Sequence, residues 1–144
     1  MSSVIALRGA AALSEFRTQR LLERLKTAWP AISGINSEYL YLVELSAPLD
    51  AAETERLNAV LEATGPAEEL PGSVIVAPRL GTISPWSSKA TDILRHCGLG
   101  NVVRVERVTR FMPVAVKKAP SAAERAAMAA LMHDRMIETV LDTV

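Results

Sequence analysis

The chain offers few residues able to make or break a bond, and their spacing argues against nucleophilic catalysis. His96 and Cys97 are adjacent, and adjacent helical side chains diverge by about 100°, so they do not form a nucleophile–base pair. His96 is expected to hydrogen-bond near a helix C-terminus, and Cys97 to pack as a small apolar group. His133 and Asp134 also adjoin. On a helix the facing pairs are instead His133 with Ile137 and Asp134 with Glu138. Asp134, Arg135 and Glu138 therefore read as a solvated or interdomain face. Two histidines and one cysteine fall short of a structural zinc set. No residue is assigned a catalytic, cofactor-binding or metal-binding role.

Binding chemistry is better represented, in the stretch from Arg79 to Ile93. Thr82, Ser84, Ser87 and Ser88 supply four hydroxyls, Arg79 and Lys89 flank them, and Trp86 lies inside. Two readings stand side by side. In one, the hydroxyls cap orphan amides at a helix start and Trp86 packs beneath them. In the other, Arg79, Thr82, Ser84, Trp86, Ser87, Ser88 and Lys89 form an interdomain or substrate-proximal loop. Amides, hydroxyls and two cations would there meet an anionic group or a partner's loop. The phosphate-cradling patterns G-x-x-x-x-G-K-[ST] and G-x-G-x-x-G do not occur.

The elements around this stretch follow from patterning. Val4 to Leu7 predicts a first strand closed by Gly9. Ser14 offers an N-cap, and Phe16, Leu21, Leu22, Leu25, Ala28 and Trp29 trace a helical face that Pro30 stops. Ile35 to Leu45 predicts a strand covered in part on both faces, with Tyr39, Tyr41, Val43 and Leu45 on one parity and Leu40 and Leu42 on the other. Asp50 and Glu53 make a capping box for a helix running to Gly65-Pro66, and 67–72 is a linker. Ser73 to Ala77 is a third strand. The following helix starts at Ser84 with Pro85 first, or one turn later at Ser87 or Ser88. Its expected stripe is Trp86, Ala90, Ile93, Leu94 and Cys97, with Gly98 closing it. Val102 to Met112 is a fourth strand whose parity shift suggests a bulge or an edge near Arg107, with Pro113 ending regular pairing. Ser121 and Glu124 open a last helix through Met128, Leu131, Met132, Met136 and Val140. The end at Val144 without a stop signal fits a piece of a longer chain.

Four strands alternating with four helices predict an α+β fold: ferredoxin-like strand–helix–strand units, an antiparallel sheet with helices packed on it. One domain over 1–144 is expected, built of two halves at about 1–66 and 73–144. Hydrophobic residues make up 49% of the chain and charged ones 22%, a globular balance. Sixteen basic residues match sixteen acidic ones, without the basic excess of a nucleic-acid binder. No apolar run approaches the roughly 18 residues of a membrane-spanning helix, and the N-terminus lacks a secretory leader's basic start. The single cysteine suits a reducing, cytoplasmic setting.

The run PRLGTISPWSSKATDILRHCGL, Pro78 to Leu99, resembles a stretch near the start of the long single-chain form of phosphoribosylformylglycinamidine synthase. LRGAAALSEFR (Leu7 to Arg17) and LMHDRMIETV (Leu131 to Val140) are similar to the same family in the same order. Leu80 stands where the family often has Pro, and Ile137 where it often has Thr. The resemblance implies the non-catalytic N-terminal domain of a longer ligase of purine biosynthesis, a glutamine amidotransferase that amidates formylglycinamide ribonucleotide. It implies two fused copies of a small subunit found separately in split enzymes, although no repeat between the halves is visible in the sequence. It also implies ATP and magnesium in a central synthetase domain, a Cys–His glutaminase domain beyond that, and no cofactor in this part. Both of those domains would be partners of this one, with substrate contact through the 79–89 loop, and with neither nucleic acid nor membrane as a partner. The rival reading is a free-standing, dimeric ferredoxin-like module that binds a small anionic metabolite.

Overall fold

The computed structural model describes residues 3–70, 73–78, 83–115, 121–133 and 138–141. Along the chain run β1 (Ser3–Arg8), α1 (Glu15–Ala28), β2 (Ile32–Leu45), α2 (Ala51–Leu61), β3 (Gly65–Pro66), β4 (Val74–Pro78), α3 (Pro85–His96), β5 (Val102–Ala115), α4 (Ala122–Met132) and β6 (Glu138–Leu141). The fold is α+β. Its described strands form a six-stranded antiparallel sheet in the order β3-β1-β2-β5-β4-β6, with the helices packed on it.

The helix starts follow their caps. Ser14 accepts from the Arg17 amide and opens α1. Asp50 with Glu53 and Ser121 with Glu124 each make both bonds of a capping box. The expected parity of β2 holds: Tyr41, Val43 and Leu45 join one core, and Leu40, on the opposite parity, is buried outside that cluster.

Packing gathers the elements into two compact units. The first holds β1, α2, β3, α3, the part of β2 from Tyr39 and the part of β5 up to Val108. Its core joins Leu57 of α2 and Leu94 of α3 to Val43 and Val105 of the sheet, with Leu99 and Val102 beside them. Fully burying each such side chain contributes about 1.5–3 kcal/mol. The second unit holds α1, the part of β2 up to Glu38, β4, β5 from Thr109, α4 and β6. Leu22 and Leu25 of α1 and Met128 of α4 close there on Val74, Val76 and Phe111. The anticipated halves at about 1–66 and 73–144 each supply elements to both units, because β2 and β5, fourteen residues each, run through both.

Several local expectations change. α2 ends at Leu61, where Glu62 adopts the left-handed conformation (φ 56°) and Ala63 N donates to Asn58 O. Gly65-Pro66 is then not a helix stop but a short strand paired to Leu7 and Arg8. Proline is tolerated there because β3 lies at the end of the sheet order. β5 runs on past Pro113 to Ala115, while its register with β4 stops at Val74↔Phe111, short of the proline as expected. β5 lies between β2 and β4 in the sheet order, and its register with β4 covers Thr109 to Phe111, so Arg107 lies beyond the stretch that β4 pairs among the described residues. The parity shift there is real: Val105 and Glu106 are buried in succession, and the Arg107 amide donates to Glu106 Oε1 at 3.0 Å.

The last helix is shorter than expected. It stops at Met132 with His133 extended, and Val140 sits on β6, pairing with Val76. A β4 segment as apolar as Val74–Ala77 favours a strand neighbour on each side, and Thr139 and Val140 are β-branched. The expected contributions of Asp134, Arg135, Met136 and Ile137 lie outside the described residues. In α1, Phe16 points outward, 69% exposed, instead of joining the apolar face. No described helix is long and apolar enough to cross a membrane.

Candidate functional site

The site is built on the first unit, where α3 begins. Ser84, with Pro85 as the first helical residue, is the cap: its Oγ accepts from the Ser87 amide at 3.0 Å. The same hydroxyl donates to Glu106 Oε1 at 2.8 Å. Glu106 is buried and carries two further donors, the Arg107 amide on Oε1 and Arg104 Nη2 on Oε2 at 3.1 Å. The three donors fix the carboxylate in place, and it ties the helix start to the middle of β5.

The next serine makes a second tie. Ser87 is fully buried and donates to Val105 O at 2.6 Å. Thr91, one turn on, donates to Ser87 O and accepts from the Val105 amide. The buried face of α3 is therefore Ser87 and Leu94, with Trp86, Ala90 and Thr91 half-buried. The expected stripe is corrected at Ile93, which is 46% exposed, and at Cys97, which is exposed at the helix C-cap. A buried hydroxyl bonded to a strand carbonyl has turned the helix toward its polar side. His96 behaves as anticipated, its Nδ1 2.7 Å from Asp92 O.

Trp86 leads to the aromatic part of the site. Its ring stacks on Tyr41, centroids 5.8 Å apart and planes 17° from parallel. The Arg107 guanidinium sits between two aromatic faces, with Cζ 4.9 Å from the Trp86 centroid and 4.3 Å from that of Tyr39. Burial raises the Tyr41 phenol above its ordinary pKa, Arg107 lowers it in part, and Tyr39 and Glu62 raise it. Gly9 leaves room for the Tyr41 ring: a Cβ at that position would lie 2.6 Å from Tyr41 Cε2.

The structure thus brings Ser84, Trp86 and Ser87 together and spends their polar groups locally. Ser88 and Lys89 are exposed one turn into the helix, with Ile83 exposed just before it. Arg79 and Thr82 lie outside the described residues. Sequence reasoning passed over Tyr39, Tyr41, Glu106 and Arg107 as site components. No signal in the sequence joined them, since Arg107 of β5 meets Tyr39 of β2 and Trp86 of α3 only in the folded unit. The arrangement has donors, a seated cation and a rigid aromatic stack, which suit holding a surface in place and presenting it. Among the described residues, no group of three or more His, Cys, Asp or Glu side chains is placed to hold a metal ion.

A family described as formylglycinamide ribonucleotide amidotransferase N-terminal matches residues 38–144. The match takes in β2 from Glu38 onward, all of α3 and β5, and so every component of the site except Gly9; the opening resemblance at Leu7 to Arg17 falls outside it. With about three quarters of its length matched, the chain belongs to the family of formylglycinamide ribonucleotide amidotransferase N-terminal domains.

Proposed function

We propose that this chain is the non-catalytic part of phosphoribosylformylglycinamidine synthase that bridges the synthetase and glutaminase domains and helps contain the transferred ammonia. In this reading the whole enzyme is a cytoplasmic ligase of de novo purine biosynthesis. It amidates formylglycinamide ribonucleotide with glutamine as nitrogen donor and ATP as energy source, and its ATP and magnesium bind outside this chain. The observation that carries the reading is the family match over residues 38–144. The local geometry supports a presenting role. Glu106, Val105 and the Arg107–Trp86 contact anchor the start of α3 from below. Ser88, Lys89 and Ile83 are left on its outer side.

Replacing Arg79 and Lys89 together with alanine in the full-length enzyme tests this. Lys89 is exposed, and a surface substitution usually changes stability by no more than about 0.5 kcal/mol. The expected result is a near-native melting curve with a clear loss of glutamine-coupled synthesis, the ammonia-dependent reaction being less affected. Unchanged turnover and substrate affinity in that variant would remove the functional role of the loop.

A further inference from the structure

The second unit carries a cleft of about 530 Å³ beside α1, unrelated to the Trp86 site. Arg17, Arg20 and Arg24 line it from one side, spaced three and four residues apart and so on one stripe of the helix. Phe111 and Met132 belong to its apolar lining, and Phe16, 69% exposed, stands at its rim. The Arg20 guanidinium lies 5.8 Å from the Phe16 centroid. None of the three arginine side chains has a hydrogen bond or ion pair to a described residue. Three cations on one stripe over an apolar lining are a local basic concentration on a chain of zero net charge.

We propose that this cleft docks an acidic, amphipathic helical segment of a partner polypeptide. From Arg17 to Arg24 the helix rises about 10 Å. A single phosphate group asks for donors that converge on one point, whereas these are strung along a line. Carboxylates three and four residues apart on a facing helix repeat the same rise, and apolar residues beside them would cover Phe16 and the cleft. A lipid surface is disfavoured because the apolar residues of α1, Leu21, Leu22 and Leu25, are turned into the core. The proposal does not depend on the role given to the Trp86 site.

The test uses the full 144-residue chain and a fluorescein-labelled synthetic helix of about four turns, with Glu along one stripe and Leu beside it. Anisotropy titrations at low and high salt should show saturable binding that salt weakens. The triple variant Arg17→Gln, Arg20→Gln, Arg24→Gln should bind about tenfold more weakly, the combined value of three exposed ion pairs. Arg17→Lys, Arg20→Lys, Arg24→Lys should retain most of the affinity, which keeps the test open should the neutral variant fail to fold. Phe16→Ala should weaken binding without changing its salt dependence. Three outcomes overturn the proposal: equal binding of a peptide carrying Lys for Glu, unchanged binding by the neutral variant, or displacement by inorganic triphosphate or an oligonucleotide at lower concentration than by the unlabelled acidic peptide.

Discussion

Arg110 and Glu38 form an ion pair buried on both sides, their side chains 3% and 8% exposed. Arg110 Nε reaches Glu38 Oε1 at 2.9 Å and its Nη2 converges on the same oxygen. Glu38 stands on β2 and Arg110 on β5, seventy-two residues apart in sequence. Hydrophobic side chains elsewhere in the second unit fix how much surface is buried. This pair penalises misplacement of those two residues, since a shift of one residue along either strand would turn a charge to the other face.

Removing one partner of such a pair is costly in a way that removing both is not. Glu38→Ala is expected to lower unfolding stability by about 3 kcal/mol, because it takes away the carboxylate on which a buried guanidinium forks. Glu38→Leu combined with Arg110→Met should restore a large part of that loss. Urea unfolding midpoints of the two variants and the parent chain decide the matter. Equal losses in the single and double variants would mean that packing volume, not charge, sets the cost.

The hydroxyls at the start of α3 should separate cleanly by role. Ser87→Ala removes the buried donor to Val105 O and is expected to cost about 1–3 kcal/mol. Ser84→Ala removes a cap and a ligand of Glu106, with a loss of about 1 kcal/mol or more. Ser88→Ala touches neither network and should stay within about 0.5 kcal/mol of the parent. Chemical denaturation of the three single variants measures this directly. Similar losses at Ser87 and Ser88 would contradict the inward direction given to Ser87.

The same residues show what the sequence made legible. Caps at Ser14, Asp50 and Ser121 were readable because a cap is closed by an amide three residues away, and Ser84 was one of three candidates alongside Ser87 and Ser88. The rotation of α3 was not, because Ser87 finds its acceptor on a strand eighteen residues later. Apolar periodicity counted Ile93 and Cys97 as inward and passed over that serine. β6 was hidden for a related reason: Thr139 to Leu141 continue an apolar pattern that suits a helix, and the β4 edge they pair with lies more than sixty residues earlier. The seat of Arg107 needed β2, α3 and β5 to be assembled first. The family, by contrast, was readable from one contiguous stretch, since a resemblance needs no tertiary information.

The last prediction concerns pH and the Arg107 seat. Burial raises the Tyr41 phenol, with Arg107 opposing that rise. A phenol whose folded pKa exceeds its unfolded value of about 10 binds its proton more tightly when folded. Its contribution to stability is complete below pH 10 and is lost as pH climbs through the raised folded value. Arg107→Gln removes the opposing cation, so Tyr41 should titrate at higher pH still. Near-ultraviolet phenolate absorbance follows this. The chain has two tyrosines, so the comparison is made in a Tyr39→Phe background, which isolates Tyr41. The same substitution removes the central member of the Tyr39–Arg107–Trp86 arrangement, and Trp86 fluorescence should report the change in the parent background. A Tyr41 titration unmoved or shifted downward by Arg107→Gln would show that the guanidinium does not act on the phenol from the position between Tyr39 and Trp86.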